Sequence, residues 1–191
     1  MDITKAINIL GKIFSFSAVD TNKVIHDLKL PKNAIILDIG TGIGNLAITL
    51  ALNGYKVLTG EPSDDDSIYA SQNWQENAKK VKVDHLITFK SFNAKEIPYD
   101  ENTFDAVFSL GTFHHIEEAD RKIVLEEFIR ITNNNSIICL FEPNQKAIRM
   151  IRESDESHPD AADPNKYIQH LDLTFRKIVG SNFDAFISQT H

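Results

Sequence analysis

The sequence predicts an α/β fold: a doubly wound, mostly parallel sheet of seven strands that is closed by a C-terminal antiparallel hairpin. Two observations predict it. Apolar runs typical of buried strands alternate with helical segments between residues 33 and 142, which is the pattern of a parallel sheet covered by helices on both faces. Two alternating runs around Gly180-Ser181-Asn182 then predict the hairpin. The length of 191 residues favours a single domain spanning residues 1–191.

The first elements follow from periodicity and from breakers. In residues 1–30, "ITKAINILGKIF" has apolar positions at helical spacing, and a second helix, "TNKVIHDL", ends before Pro31. "AIILDIG" reads as a strand buried on both faces, and "NLAITLALNG" as a helix that stops at Gly54. "YKVLTGE" is the second strand. "DDDSIYASQNWQENAKK" is predicted to be a helix with acids in its first turn, where the helix dipole favours them.

The second half continues the alternation. "HLITFK" and "FDAVFSL" are predicted strands separated by the loop "NAKEIPYDENT". A strongly amphipathic helix, "EEADRKIVLEEFIRIT", precedes an "NNN" turn and the fifth strand, "SIICLFE". Residues 143–191 are predicted to hold a helix in "NQKAIRMIRES", an exposed loop or lid in "DESHPDAADPNKYIQH", and the closing hairpin.

Composition limits the kinds of partner that the protein can bind and the compartment in which we expect it. The formal net charge of −7 counts against a surface built to neutralise nucleic-acid phosphates. A single cysteine, Cys139, lies in an apolar strand, so we expect it to be buried and the compartment to be reducing. The N-terminus does not resemble a signal peptide, and no apolar run approaches the roughly 20 residues of a membrane span. We therefore expect a cytoplasmic protein that binds neither nucleic acid nor membranes.

The most informative stretch is "ILDIGTGIGNLA", residues 36–47, in which three glycines follow the first strand. Gly40, Gly42 and Gly44 can adopt backbone angles closed to other residues, and they let a ligand lie against the main chain. Dinucleotide sites prefer G-x-G-x-x-G, but here Asn45 occupies the place of the third glycine. Asp38, at the strand end, suits a cationic nucleoside conjugate better than a pyrophosphate.

"ILDIGTGIG" resembles motif I of the class I S-adenosylmethionine-dependent methyltransferases. "VLTGEPS", "FNAKEIPYDENTFDAVFSLGTFHHI" and "IRITNNNSIICLFEPN" are similar to later stretches of that family, so the resemblance covers roughly residues 34–144. It is strongest for the branch that acts on small molecules. The resemblance implies a Rossmann-like fold, S-adenosylmethionine as cofactor, and methyl transfer to a small-molecule acceptor.

The resemblance also implies positions for the cofactor. The first strand end and the glycine loop would face its methionine part, the end of the second strand its ribose, and the loop after the third strand its adenine. The residues expected to bind it are Asp38, Gly40, Thr41, Gly42, Gly44, Asn45, Glu61, Pro62, Asn93, Ala94 and Leu110. Two positions depart from the family: Asn93 stands where an acid is frequent, and the "NNN" turn replaces Pro-Gly-Gly.

His114 and His115 follow the fourth strand at the ligand-binding edge and are the candidates for a general base. Their simplest alternative is structural, with one imidazole packed inside and the other solvated. The acceptor would be framed by the N-terminal helices, these histidines and residues 153–170. Asp155, His158 and Asp160 match no metal-site spacing, so we expect a solvated loop there and no metal.

Two other functions stay open at this point. A non-catalytic module that binds the cofactor would share every feature above except turnover. A nicotinamide-dependent oxidoreductase would need the other glycine register, although an acid at the position of Glu61 would suit it too. A methyltransferase for nucleic-acid bases is disfavoured because "SLGT" follows the fourth strand in place of N/D-P-P-Y.

Overall fold

The computed structural model describes residues 1–65, 67–70 and 72–190. Within them, one sheet of seven strands has the order β3-β2-β1-β4-β5-β7-β6, which confirms the predicted fold class. The strands are β1 (Ile36–Ile39), β2 (Val57–Gly60), β3 (Ile87–Phe89), β4 (Phe104–Leu110), β5 (Thr132–Pro143), β6 (Arg176–Ile178) and β7 (Phe183–Gln189). The helices are α1 (Ile3–Leu10), α2 (Lys12–Leu28), α3 (Asn45–Leu52), α4 (Trp74–Lys80), α5 (Arg121–Ile131) and α6 (Gln145–Arg152).

The topology places a ligand-binding edge at the carboxyl ends of β1 and β4. Strands β1 to β5 run parallel, and β7 pairs antiparallel with both β5 and β6, so the predicted closing hairpin is confirmed. The chain proceeds outward from β1 to β2 and β3, and then returns to the other side of β1 as β4. In an open α/β sheet, the crevice beyond this switch point is where ligands bind.

The core lies on both faces of the sheet because successive strand residues point to opposite sides. Phe108 and Phe141 pack into one buried cluster, with α1, α2 and α3. Their neighbours Val107 and Leu140 pack into the other, with α5. Cys139 is fully buried, as predicted. No helix among the described residues is both long and apolar enough to span a membrane.

The N-terminal helices divide at a different residue from the one that the sequence suggested. The chain breaks at Gly11, whose φ of 80° and ψ of −159° interrupt the helical path. Helix α2 then runs from Lys12 to Leu28, far longer than "TNKVIHDL". Phe14, Ala18 and Ile25 form its buried face, so packing extends a helix whose polar residues masked its periodicity.

The predicted acidic helix is wrong over most of its length. Helix α4 covers only Trp74–Lys80, and Asp64 and Asp65 lie in irregular chain before it. Asp65 accepts a hydrogen bond from the Ser67 amide at 2.9 Å, a local bond of the kind that competes with helix formation. Asp66 and Ser71, which belong to the same prediction, lie outside the described residues.

The "NNN" turn lies inside β5, because the strand begins at Thr132. Asn135 takes the left-handed backbone conformation, with a φ of 62°, which asparagine tolerates better than most residues. The pairing register between β4 and β5 shifts between Phe104 and Ala106. The asparagines thus bend an existing strand and do not separate it from the helix.

The segment expected to be an exposed lid is partly buried, which corrects the prediction. His158 and Ala162 face the interior. The Ala162 amide donates to Glu142 Oε2 at 3.0 Å, and Arg152 Nε donates to the His158 carbonyl at 2.8 Å. A polar sequence can fold inward when its polar groups find buried partners.

Candidate functional site

A crevice of ≈ 630 Å³ opens at the carboxyl ends of β1 and β4. This volume is in the range of about 300–1,000 Å³ that is typical of small-molecule sites. It brings together all the predicted cofactor residues except Asp38 and Gly44. Those that line it are Gly40, Thr41, Gly42, Asn45, Glu61, Pro62, Asn93, Ala94 and Leu110.

Two glycines keep the floor of the crevice bare. Gly40 has a φ of 86°, and a Cβ there would collide with the Thr112 side chain. Gly42 has a φ of 47°, and a Cβ there would lie 3.3 Å from the Tyr69 carbonyl oxygen across the crevice. Both positions therefore need glycine, the first for packing and the second to keep the ligand path open.

Gly44 lies at the start of α3, outside the residues that line the crevice. It caps the start of α3 with a φ of 84°, and a Cβ there would lie 2.9 Å from Trp74 Cβ. The structure therefore places it against α4 and away from the crevice. Asn45 follows it, and its Nδ2 donates to the Ile13 carbonyl and to Ser17 Oγ, each at 3.2 Å. This side chain fastens α2 beside the loop.

Asp38 lies beneath the loop, fully buried. Its Oδ2 accepts from Thr59 Oγ1 at 2.8 Å, and Thr59 Oγ1 is 2.9 Å from Thr41 Oγ1. No described group hydrogen-bonds to Asp38 Oδ1. Burial, followed by the nearby Glu61 carboxylate, raises the pKa of Asp38 to about 8. Its carboxyl supports the loop from below and does not line the crevice, whereas the resemblance implied that it faces the methionine part of the cofactor.

Glu61 links the second strand to the glycine loop. It follows β2 and is largely buried, and its Oε2 accepts from the Gly42 amide at 2.8 Å. On the neighbouring wall, Asn93 Oδ1 accepts from the Lys95 amide at 2.9 Å, which fixes the turn that carries Asn93 and Ala94. Leu110 ends β4 on the same side.

His114 and His115 lie in a 3-10 turn just after β4. His114 is buried, and its Nδ1 is 2.9 Å from Glu142 Oε2. His115 is exposed to the crevice, and its ring centroid is 4.2 Å from that of His114. The protein groups around its ring shield it in part from solvent, and this partial desolvation, together with the neighbouring imidazoles, lowers the pKa of His115 to about 4.

Sequence reasoning missed three contributors to this wall. His158 was expected to be solvated, but its Nε2 lies 3.4 Å from His114 Nε2. Glu142 is the penultimate residue of β5, and Glu61 directly follows β2, so looking for acids at the carboxyl ends of buried strands could have identified Glu142 too. Tyr69 reaches across the opening and donates from its hydroxyl to Asp155 Oδ2 at 2.6 Å.

Comparison with known proteins identifies the family. A profile of the methyltransferase domain family matches residues 37–140, which contain the glycine loop, Glu61 and the two adjacent histidines. The chain belongs to the class I S-adenosylmethionine-dependent methyltransferases. S-adenosylmethionine is the methyl donor of this family.

Named relatives act on different compounds. The chain is 32% identical over 159 residues to a sarcosine/dimethylglycine N-methyltransferase from Halorhodospira halochloris, covering 78% of this chain and 54% of the relative. It is 30% identical over 111 residues to a 27-O-demethylrifamycin SV methyltransferase from Amycolatopsis mediterranei, covering 58% and 39%. The methyltransferase domain described here thus spans about half or less of these proteins.

Solved structures share the fold. A crystal structure of a candidate S-adenosylmethionine-dependent methyltransferase from Methanococcus maripaludis superposes with a TM-score of 0.73. The two chains are 18% identical, and the match covers 99% of this methyltransferase and 93% of the other chain. Likeness at this identity concerns the fold.

The residues present fit S-adenosylmethionine. The open backbone at Gly42 gives room for a ligand on the loop. A buried carboxylate oxygen without a donor, such as Asp38 Oδ1, is costly, and a cationic ligand above it offsets part of that cost. Glu61 presents a second carboxylate beside the loop. A pyrophosphate would meet the Glu61 carboxylate with unfavourable charge.

Proposed function

We propose that this methyltransferase transfers a methyl group from S-adenosylmethionine to a small-molecule acceptor. The observation that carries the proposal is the bare backbone at Gly42, which opens onto the crevice beside the Glu61 carboxylate. When bound, the cofactor supplies a methyl group activated by its sulfonium charge. The protein has to bind the cofactor and the acceptor, orient them for transfer and exclude water.

The walls support a division of the crevice into two ends. Glu61 would accept hydrogen bonds from ribose hydroxyls while it remains bonded to the Gly42 amide, since a carboxylate has about four acceptor sites. Asn93 and Ala94 would hold the adenine. Asp38 would act through the loop above it: a positively charged ligand would favour its ionised form, which burial disfavours in the ligand-free protein.

The acceptor end carries several apolar and aromatic side chains. Phe16 of α2, Tyr69, Ile151 and Phe183 line it together with the histidines. The hydrogen bond between Tyr69 and Asp155 narrows the opening. Such a wall favours a small organic acceptor over a macromolecule, and the relatives named above methylate small compounds.

Orientation can supply most of the catalysis. Holding a nucleophile in line with the donor methyl can lower the barrier by about 7–11 kcal/mol in well-oriented cases. His115 would add a base, because its lowered pKa of about 4 keeps the imidazole neutral at neutral pH. A neutral histidine facing the crevice can accept the proton of an acceptor hydroxyl as the methyl group is transferred to its oxygen.

Calorimetric titration with S-adenosylmethionine, S-adenosylhomocysteine and NAD tests the cofactor. We expect both adenosyl compounds to bind and NAD not to bind. Binding of NAD alone would overturn the proposal and favour an oxidoreductase. Transfer of a labelled methyl group to a panel of small amines, hydroxyl compounds and carbon acids then tests turnover. Binding without transfer to any of them would favour a non-catalytic module.

A further inference from the structure

Three histidines converge on one point at the acceptor end of the crevice. His114 and His115 come from the turn after β4, and His158 comes from the segment after α6. One ring nitrogen from each lies within 4.8 Å of the others, the one such group of three metal-ligating side chains among the described residues. All three residues line the crevice.

The closest pair has the spacing of two ligands on one ion. His114 Nε2 and His158 Nε2 are 3.4 Å apart. Two nitrogens bound tetrahedrally to zinc at about 2.0–2.1 Å from the ion are separated by about 3.3–3.4 Å. The backbone therefore already holds these two imidazoles at the separation that a tetrahedral ion requires.

Neighbouring oxygens set the orientation of both rings. His158 Nδ1 is 2.9 Å from the Pro159 carbonyl, which can only accept, so this nitrogen carries the proton. His114 Nδ1 is 2.9 Å from Glu142 Oε2, an oxygen that also accepts from the Ala162 amide. In the neutral rings, the two Nε2 atoms then present lone pairs toward each other.

Two facing lone pairs at 3.4 Å repel unless a cation lies between them. A carboxylate or carbonyl behind each ligating histidine is the usual arrangement around protein-bound metals, because it fixes the tautomer and strengthens the ligand. Glu142 and Pro159 occupy these positions. His115, exposed to the crevice, supplies a third nitrogen from the open side.

We propose that His114, His115 and His158 bind a divalent transition metal of the zinc class, with the fourth coordination position open toward the crevice. Imidazole nitrogens suit zinc and its neighbours, and three protein ligands with one open position are typical of reactive sites. The open position would take an oxygen or nitrogen atom of the acceptor. A histidine that holds the ion cannot also be a free base, so metal binding would replace the role proposed above for His115.

The test uses the untagged full chain, stripped with EDTA and then titrated with Co²⁺ in the absence of any adenosyl compound. We expect one Co²⁺ per chain, visible absorption of the intensity given by four-coordinate cobalt, and displacement by one equivalent of Zn²⁺. His115→Ala should weaken Co²⁺ binding more than tenfold, since it removes a ligand. Glu142→Gln should weaken it by about 10–100-fold through the orientation of His114.

His85 provides the matched control, because it is an exposed histidine beside β3, on the far edge of the sheet. His85→Ala should bind Co²⁺ as the wild type does. His115→Ala carries the test because its side chain is exposed, whereas His158→Ala could disturb the fold. Circular dichroism establishes that each variant is folded before titration.

Three results would overturn the proposal: no Co²⁺ binding, a spectrum of six-coordinate cobalt only, or equal affinity in the wild type and His115→Ala. Binding of S-adenosylhomocysteine is measured separately in EDTA. A failed metal titration therefore leaves the proposed methyl transfer standing, and a failure to bind S-adenosylhomocysteine leaves the metal site standing.

Discussion

Glu61 offers the sharpest test of how the cofactor would be held. Its carboxylate accepts from the Gly42 amide at 2.8 Å and lines the crevice. Replacement by alanine removes both the support of the loop and the acceptor for ribose hydroxyls. Replacement by glutamine keeps an oxygen that can accept from Gly42, but it removes the negative charge.

The two substitutions should therefore differ in size. A hydrogen bond to a charged group contributes about 1.5–3 kcal/mol, and one between neutral groups about half as much. We expect Glu61→Ala to weaken binding of S-adenosylhomocysteine by about 1–3 kcal/mol, which is roughly 5- to 150-fold in Kd. Glu61→Gln should lose about 1 kcal/mol, or roughly fivefold.

Isothermal titration with S-adenosylhomocysteine measures both, and thermal melting without ligand reports how much of the loop support is lost. Glu101→Gln serves as the control, since Glu101 is exposed just before β4 and so lies at the opposite edge of the sheet. If Glu61→Ala and Glu61→Gln bind as tightly as the control, the ribose assignment is wrong. An equal loss for both would mean that charge alone matters.

Three further perturbations can be measured with the same assays. Gly42→Ala should weaken adenosyl binding because its methyl would enter the crevice, whereas Gly54→Ala, at a φ of 90° with nothing within 4 Å, should change only the melting temperature. Burial raises the pKa of Asp38 from 3.8 to about 8, so its contribution to folding is complete below about pH 4 and is lost as the pH rises towards 8. Between pH 4 and pH 8, the melting temperature of the ligand-free wild type should therefore fall more than that of Asp38→Asn. Asp20→Ala should lower the free energy of unfolding by about 3 kcal/mol or more because Asp20 accepts from three backbone amides of the closing hairpin, while Asp27→Ala, at an exposed position, should have little effect in chemical denaturation.

The sheet could be predicted because its strands have a simple physical signature. Parallel strands buried on both faces are almost continuously apolar, and "AIILDIG" and "SIICLFE" have this pattern. The glycine loop could also be predicted from the sequence, since few residues other than glycine adopt the positive φ values found at Gly40 and Gly42. The acid at the end of β2 followed from its place in the strand order.

Elements decided by distant partners were not predictable in this way. The negative charges of the acids before α4 favour the start of a helix there. Instead, Asp65 accepts a hydrogen bond from a nearby backbone amide, and the Tyr69 hydroxyl donates to Asp155, 86 residues away in the sequence. Gly44 has the same sequence signature as Gly40 and Gly42, but its neighbour is Trp74. Loop chemistry alone does not distinguish a glycine that faces a ligand from one that faces a helix.

The histidine cluster shows most clearly why the acceptor end could not be predicted from the sequence. His158 lies 44 residues beyond His114 in a polar stretch, and it is buried because Arg152 and Pro159 satisfy its polar atoms. Spacing along the chain carries no information about such a pairing. The cofactor end is built from local strand-to-turn geometry, whereas the acceptor end is assembled from separate segments, α2, the turn after β4 and the segment after α6. A change confined to the segment after α6 would therefore alter the acceptor wall while leaving the glycine loop and its acids in place.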